Sequence, residues 1–240
     1  MSNSRLVDYT RISPHCTRPR RGKISKITIH HMAGNLTVEQ CGEVFAGSRK
    51  ASANYGIGSD GRVGLYVEEC NRAWTSSSSA NDDAAVTIEV ANCKIGDPWP
   101  VSDAAYDTLI MLCADICRRN DIERLNYTGD ASGNLTMHKW FAATSCPGPY
   151  LEARFPEIAE RVNALLEGEN SMDYEQFTAF ADRREAEKRE KPLADWARDY
   201  WERATAAGVV DGSAPHGGIT RAEVVTILGR LGLLDDKEDK

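Results

Sequence analysis

The sequence predicts an α/β protein, in which a mixed central β-sheet is flanked by helices and followed by a small, all-helical C-terminal domain. Strand-like alternation in "KITIHHM" and "AVTIEVAN" supports the sheet, and a long amphipathic pattern over residues 101–120 supports a flanking helix. A shift to charged, helix-favouring sequence after residue 168 supports the separate C-terminal domain. Hydrophobic residues make up 41% of the 240 residues, which is enough for one sizeable core and a smaller second unit.

Charge and hydropathy exclude several classes of protein. The formal net charge of −7 argues against binding of nucleic acid through a broad basic surface. No apolar stretch reaches the roughly 18 residues of a membrane span, and the first residues lack the basic-then-apolar order of a signal peptide. We therefore expect no membrane insertion and synthesis as a soluble cytoplasmic protein. The seven cysteines are odd in number and irregularly spaced, so we expect mostly free thiols and at least one candidate metal ligand.

The N-terminal half predicts the elements of this domain in order. Residues 1–26 are rich in arginine and lysine and contain two prolines, which indicates an extended, solvated arm without chemistry. The strand "KITIHHM" follows, and then "LTVEQCGEVFAG", a short helix opened by Thr37. The segment "NYGIGSDGRVGLYV" predicts two strands joined at a Ser-Asp-Gly turn.

The helix over residues 101–120 is predicted most clearly. Ser102 is a suitable N-cap, and apolar residues recur at steps of three and four. Because Cys113 and Cys117 fall on this apolar face, we interpret them as core thiols rather than ligands. A further helix, "PEIAERVNALLEG", closes the domain. We predict a main domain over residues 1–168, a linker and charged helix over 169–191, and a helical domain over 192–240.

His138 and Cys146 lie eight positions apart, and two interpretations of them are open. They are two ligands of one metal, or a buried imidazole and an ordinary buried thiol. Strand alternation places His30 on the face opposite Ile27 and Ile29, as expected of a ligand that faces a cleft. Two imidazoles and a thiolate make a three-ligand set that leaves zinc a fourth position for water.

Glu89 strengthens the metal interpretation. Val86, Ile88 and Val90 share one face of the strand "AVTIEVAN", and Thr87 and Glu89 share the other. An acidic residue within so apolar a strand needs a partner or a chemical task. A carboxylate beside a metal-activated water would have the water as its partner and proton transfer as its task.

The chain resembles the zinc-dependent N-acetylmuramoyl-L-alanine amidases of the type 2 family, which share their fold with peptidoglycan recognition proteins. The resemblance covers residues 24–166 and is carried, in order, by "ITIHHMAG", "NYGIGSDGRVGLYV", "VTIEVAN" and "MHKWFAATSCPGPYLEARFPEI". Four motifs in the right order are far more specific than any one of them. The chain is most similar to endolysins of bacteriophages that infect clostridia and related Gram-positive bacteria.

The resemblance implies a Zn²⁺ ion held by His30, His138 and Cys146, and a general acid and base at Glu89. The implied reaction is hydrolysis of the amide between N-acetylmuramic acid and L-alanine in bacterial peptidoglycan. Tyr55 matches the family's strand tyrosine and is expected to hydrogen-bond the developing oxyanion. Thr144 stands where many members carry a lysine, so the contribution of that lysine to oxyanion stabilisation is open here.

Three aromatic residues near these motifs allow two interpretations each. Trp140 and Phe141 line the substrate groove, or they pack behind the ligands. Trp74 begins a polar run that is a plain connection or a recognition loop.

Residues 192–231 resemble a single S-layer-homology-like repeat, which implies attachment to a secondary cell-wall polymer. The alternative is a helical hairpin that only stabilises the enzyme. Because one repeat buries little surface alone, we expect it to self-associate or to pack on the main domain. The run "EGENSM" further suggests translation from Met172, which would supply a short form that assembles with the full chain.

The sequence as a whole predicts a cell-wall-lysing endolysin that reaches peptidoglycan after holin-type release or lysis. Two alternatives stay open: a non-catalytic peptidoglycan-binding recognition protein, and a cytoplasmic amidase of muropeptide recycling. Recognition proteins that only bind typically lack the cysteine ligand, whereas Cys146 is present here.

Overall fold

The computed structural model describes residues 3–168, 195–210 and 221–231, and it divides the chain into two compact units, Met1–Glu169 and Asn170–Lys240. The strands of the first unit are Val7–Thr10 (β1), Cys16–Thr17 (β2), Lys26–His31 (β3), Tyr55–Ile57 (β4), Val63–Leu65 (β5), Arg72–Ala73 (β6), Ala85–Val90 (β7) and Leu135–Met137 (β8). Its α-helices are Val38–Ala46 (α1), Ser79–Ala84 (α2), Asp103–Arg119 (α3), Pro149–Glu152 (α4) and Phe155–Glu167 (α5).

Six strands form the central sheet in the order β1-β5-β4-β7-β3-β8. All neighbours are parallel except β4 and β5, which form the antiparallel hairpin predicted around the Ser-Asp-Gly turn. The remaining pair, β2 and β6, is a separate antiparallel ribbon. The predicted fold class, a mixed sheet flanked by helices, is confirmed.

The core lies between the sheet and the pair of helices α3 and α5. Ile27, Ile29 and Ile88 contribute fully buried side chains from the two central strands, as the alternation predicted. Cys113 and Cys117 are also buried, so they are core thiols and not ligands. Both central strands are buried on their two faces because parallel strands are covered by connections on either side.

The ends of the predicted elements follow the local signals. Thr37 caps α1 in a capping box with Gln40, and the Ser102 hydroxyl accepts from the backbone of the first turn of α3. Gly61 ends the hairpin turn at φ +79°, and a β-carbon there would lie 2.9 Å from the carbonyl oxygen of Ala104. This position therefore requires glycine for both conformation and space.

The N-terminal segment wraps the domain and is mostly exposed or half-buried, as predicted, but it also contributes strands and a buried arginine. β1 joins the edge of the main sheet, and β2 pairs with β6. Arg20 is only 6% exposed, and its guanidinium donates to five backbone carbonyls from the loop before β6, from α2 and from the start of β7: those of Glu69, Asn71, Asp82, Asp83 and Ala85. A guanidinium has five donors, so it can be buried among carbonyl oxygens without a carboxylate partner. The basic composition of the segment did not reveal this.

The second unit contains two described helices, Asp195–Ala206 (α6) and Arg221–Arg230 (α7). Tyr200 and Val225 on these helices are more than half exposed. Met172 and the proposed linker lie outside the described residues. Among the described helices, none is long and apolar enough to cross a membrane.

Candidate metal centre

The site forms where the carboxyl ends of β3, β7 and β8 meet. Parallel strands end at the same edge of a sheet, and His30 of β3 is paired in register with Glu89 of β7. On the other side of β3, Ile29 is paired with Met137, so the next residue, His138, follows β8 beside His30. The sheet thereby gathers three residues that are far apart in sequence.

The distances define a compact cluster. His30 Nδ1 lies 3.6 Å from Cys146 Sγ and 4.0 Å from Glu89 Oε1. The His30 and His138 rings have centroids 4.7 Å apart. Donor atoms of His30, His138 and Cys146 all lie within 4.8 Å of one another. The cluster contains His30 and not its neighbour His31, whose ring instead packs edge-on against Trp99.

A short loop returns Cys146 to His138. His138 opens a 3-10 helix, His138–Trp140, and the backbone N–H of Lys139 donates to the carbonyl of Cys146 over 3.0 Å. The hydroxyl of Thr144 accepts from the backbone N–H of Cys146 at 3.2 Å. The eight-residue spacing is thus the length of one tight loop, with Thr144 bracing the turn that presents the thiol.

The donor set fits a divalent transition metal. Burial, together with the nearby His138 and His31, lowers the pKa of His30, so its imidazole is neutral and able to bind a cation. The Nε2 atoms of His30 and His138 and Glu89 Oε2 are buried without a hydrogen-bond partner among the described residues. Burial and nearby Glu89 raise the pKa of the Cys146 thiol, an effect that a bound cation would reverse. Two imidazoles and a thiol beside a carboxylate form a donor set suited to zinc.

Glu89 has the environment of an acid and base. Its side chain is 15% exposed, and burial raises its pKa to about 8, while the positive charge of Arg49 acts in the opposite direction. A carboxyl group with a pKa near neutrality can both accept and donate a proton.

The cluster opens into a cleft of about 280 Å³. One wall comes from α1 and the segment that follows it, another from Trp74 and Thr75, and the third from the loop that carries Thr144 and Cys146. Glu89 and His138 line the floor of the cleft. Cys146, predicted as a ligand, and Thr144, predicted as a catalytic residue, therefore lie at the same opening.

The N-terminal segment holds one wall in place. Trp74 Nε1 donates to Thr17 Oγ1 at 3.0 Å, and the Ser52 hydroxyl donates to the carbonyl of His15 at 2.6 Å. The Thr75 hydroxyl donates to the carbonyl of Ser52, also at 2.6 Å, and so connects the wall formed by Trp74 and Thr75 to the wall that follows α1. Trp74 is thus part of the cleft and more than a connection, a result that its sequence context left open.

The structure does not bring Tyr55 to this site. Tyr55 is in register with Ile88, whereas Gly56 is in register with Glu89, so Tyr55 and Glu89 project from opposite faces of the sheet. The Tyr55 hydroxyl is buried, donates to Glu69 Oε1 at 2.6 Å and accepts from the backbone of Ser4 at 2.9 Å. The predicted contact between Tyr55 and an oxyanion is therefore corrected. One sequence signal argued against this contact: Tyr55 and Ile57 lie two residues apart on one strand, so they share a face, and Ile57 is apolar.

The two aromatic residues after His138 do not line the cleft. Trp140 stacks on Tyr127 at 6.0 Å between ring centroids and packs against the core. Phe141 follows the 3-10 helix, and its backbone N–H donates to the carbonyl of His138. Sequence reasoning missed Arg49, which does line the cleft and lies in a segment with no motif or periodicity.

Residues 20–149, more than half of the chain, match the model of the N-acetylmuramoyl-L-alanine amidase family. A point mutant of PlyL is 13% identical, with a TM-score of 0.52 over 65% of this chain and 98% of that chain. A mutant endolysin from Bacillus subtilis is 14% identical, with a TM-score of 0.50 over 65% of this chain and 99% of that chain. At these identities the likeness shows a shared fold. No curated protein matches the sequence.

Proposed function

Because the chain belongs to the N-acetylmuramoyl-L-alanine amidase family, we propose that it is a zinc-dependent hydrolase of the amide bond between N-acetylmuramic acid and L-alanine in peptidoglycan. The observation that supports this most directly is the cluster of His30, His138 and Cys146 with Glu89 at one edge of the sheet. Buried polar atoms of structural residues are normally satisfied, whereas His30 Nε2, His138 Nε2 and Glu89 Oε2 have no hydrogen-bond partner among the described residues, as expected of groups that await a metal and a substrate.

His30, His138 and Cys146 would hold the zinc ion. When bound, such an ion activates water and polarises a carbonyl group. Glu89, whose carboxylate lies 4.0 Å from the His30 imidazole, accepts a proton from the attacking water and returns it to the departing amine of L-alanine. Thr144 fixes the turn before Cys146 through its hydroxyl and presents its exposed side chain to the cleft, where it contacts substrate.

The domain plan forms part of the proposal. Residues 1–168 are the amidase domain, 169–191 are a linker with a charged helix, and 192–240 are an S-layer-homology-like domain that binds a cell-wall polymer or self-associates. The amphipathic pattern of α6 and the exposed apolar side chains of Tyr200 and Val225 support an interaction role. The protein would act as a bacteriophage endolysin of clostridial type, together with a short form that begins at Met172.

Digestion of purified Gram-positive cell walls tests the reaction. We expect the wild-type chain to release new L-alanine amino termini without new reducing sugar ends. His30→Ala and Glu89→Gln should abolish this release. Only His30→Ala should also lower the zinc content of the purified protein, which metal analysis would measure, because Glu89 is not a ligand.

The alternative function, peptidoglycan recognition without cleavage, predicts wall binding with no new amino termini. Reducing ends without amino termini would indicate a glycosidase and would overturn the proposal. Phe141→Leu is a suitable control, because Phe141 is near the ligands in sequence but does not line the cleft. The short form is tested by Met172→Leu, which should remove a small C-terminal product.

A further inference from the structure

Within the described residues, Arg49 is an unpaired cation in the candidate active site. It lies in the segment between α1 and β4, is exposed, and lines the cleft. Other arginines near α1 have carboxylate partners: Arg11 pairs with Glu43 at 3.1 Å, and Arg62 pairs with Glu39 at 2.7 Å. Across residues 3–168, the backbone carbonyl of Arg49 accepts from Ala51 N–H, but its side chain makes no hydrogen bond or ion pair, so the guanidinium is available to a ligand.

Few of the other cleft-lining residues carry a formal charge. Arg49 and Glu89 are the cleft-lining residues with formal charges, and the adjoining walls carry apolar and aromatic side chains: Met32, Leu36, Val44, Phe45 and Trp74. Arg49 and Glu89 line the same cleft of about 280 Å³, so an anionic group of a bound substrate can contact Arg49 while its scissile bond lies at Glu89. Arg49 is therefore the cation that an anionic group of a bound substrate would meet in this cleft.

A guanidinium is suited to carboxylates because its parallel N–H groups match the two carboxylate oxygens. In the proposed substrate, the stem begins with L-alanine, whose carboxyl group is consumed in a peptide bond. The first free carboxylate beyond the scissile amide is therefore the α-carboxylate of the second residue, when that residue is D-glutamate linked through its side chain. When the second residue is D-isoglutamine, this group is a neutral carboxamide.

We propose that Arg49 binds the α-carboxylate of the second stem residue, so that the protein prefers stems with D-glutamate over stems with D-isoglutamine at that position. The inference rests on the proposed function and names the class of substrate. Because Arg49 and Glu89 share one cleft of about 280 Å³, the second residue is favoured over the third, which lies farther from the scissile bond.

The test uses four N-acetylmuramoyl tripeptides, with D-glutamate or D-isoglutamine second and L-lysine or meso-diaminopimelate third. We expect the wild-type chain to show a kcat/KM about 10-fold or more higher for D-glutamate, as a charge-assisted hydrogen bond implies. Arg49→Gln should bring this ratio close to one by raising KM for the D-glutamate substrates. Arg49→Lys should keep part of the preference for D-glutamate. Added salt should weaken that preference in the wild-type chain.

Lys50→Gln is the matched control, because it removes the same charge from the next residue, which does not line the cleft. It should leave the ratio unchanged. Calorimetric binding of L-Ala-γ-D-Glu-L-Lys and L-Ala-D-isoGln-L-Lys, which differ only in a carboxylate or carboxamide at the α-carbon of the second residue, provides a readout that needs no turnover. Arg49→Gln should weaken only the binding of the first peptide.

Three results would overturn the inference. One is equal use and equal binding of the D-glutamate and D-isoglutamine compounds by the wild-type chain. Another is a preference set by the third residue. The last is an equal fall in kcat on all four substrates with Arg49→Gln, which would mean that Arg49 acts on the reacting centre. If no tripeptide is cleaved, the proposed function fails, and the calorimetric contrast alone still decides the role of Arg49.

Discussion

Tyr55→Phe should destabilise the first unit and leave catalysis unchanged. Tyr55 is fully buried, and its hydroxyl joins the Glu69 carboxylate to the backbone of Ser4. Burial and the nearby Glu69 charge raise the pKa of Tyr55, so the hydroxyl remains a donor at all working pH values. The substitution removes that hydroxyl and little else.

The magnitude follows from the two lost contacts. A hydrogen bond to a charged group contributes about 1.5–3 kcal/mol, and a buried N–H without a partner adds a further cost of about 1–3 kcal/mol. Glu69 keeps two bonds from Arg119 and one from Asn120, which limits the loss. We expect a fall of about 2–4 kcal/mol in the free energy of unfolding, or roughly 4–16 °C in Tm.

Urea unfolding and the wall-digestion assay, performed at a temperature where both proteins are folded, check this prediction together. Tyr66→Phe is the matched control, because the Tyr66 hydroxyl is equally buried but donates to a neutral acceptor, the carbonyl of Val38, at 2.8 Å. It should cost only about 1 kcal/mol. The reasoning is refuted if Tyr55→Phe leaves stability intact and lowers kcat by about two orders of magnitude, the result expected of an oxyanion contact.

Three further substitutions test other parts of the structure. Arg20→Lys offers three donors to five buried carbonyls, so urea unfolding should show a loss of about 2–5 kcal/mol. Gly61→Ala places a β-carbon 2.9 Å from a carbonyl of α3 at φ +79° and should cost more than Gly96→Ala, where φ is +97° but nothing lies within 4 Å; both are read from thermal unfolding. Thr17→Val removes the acceptor shared by Trp74 Nε1 and Arg72 Nη2, and we expect a several-fold rise in KM with little change in kcat.

Each of these has a clear contrary result. Equal stability of Arg20→Lys and wild type would mean that the carbonyls around Arg20 are satisfied by water. Equal cost at Gly61 and Gly96 would show that conformation alone, and not the close carbonyl, sets the requirement for glycine. A fall in kcat with Thr17→Val would mean that Trp74 acts on the reacting bond and not only on substrate binding at the cleft wall.

The sequence predicted the elements that depend on local signals. The capping residues Thr37 and Ser102 mark the starts of α1 and α3, and two-residue alternation identified the faces of β3 and β7. The choice of His30 over His31 rested on the same alternation, and the structure places His30 in the cluster. Such signals are reliable because each depends only on neighbouring residues.

Long-range contacts were beyond local signals. The course of the N-terminal segment and the burial of Arg20 depend on partners far away in the chain. The helix α2 forms from a polar run without periodicity. Arg49 has no motif, and only the folded cleft shows that it lies with Glu89. From composition alone, Arg20 and Arg49 would be expected to be ordinary charged residues on the surface.

By itself, the sequence determined the fold class, the caps, the apolar face of each central strand and the choice of His30 over His31, because these follow from the periods of strands and helices. His138 and Cys146 were implied as ligands by the family resemblance. The tertiary structure alone decided which side chains share the cleft. Tyr55 shows the physical reason: its face relative to Glu89 is set by the register between β4 and β7, and a shift of one residue would reverse it. Register is a property of the assembled sheet and of no single strand.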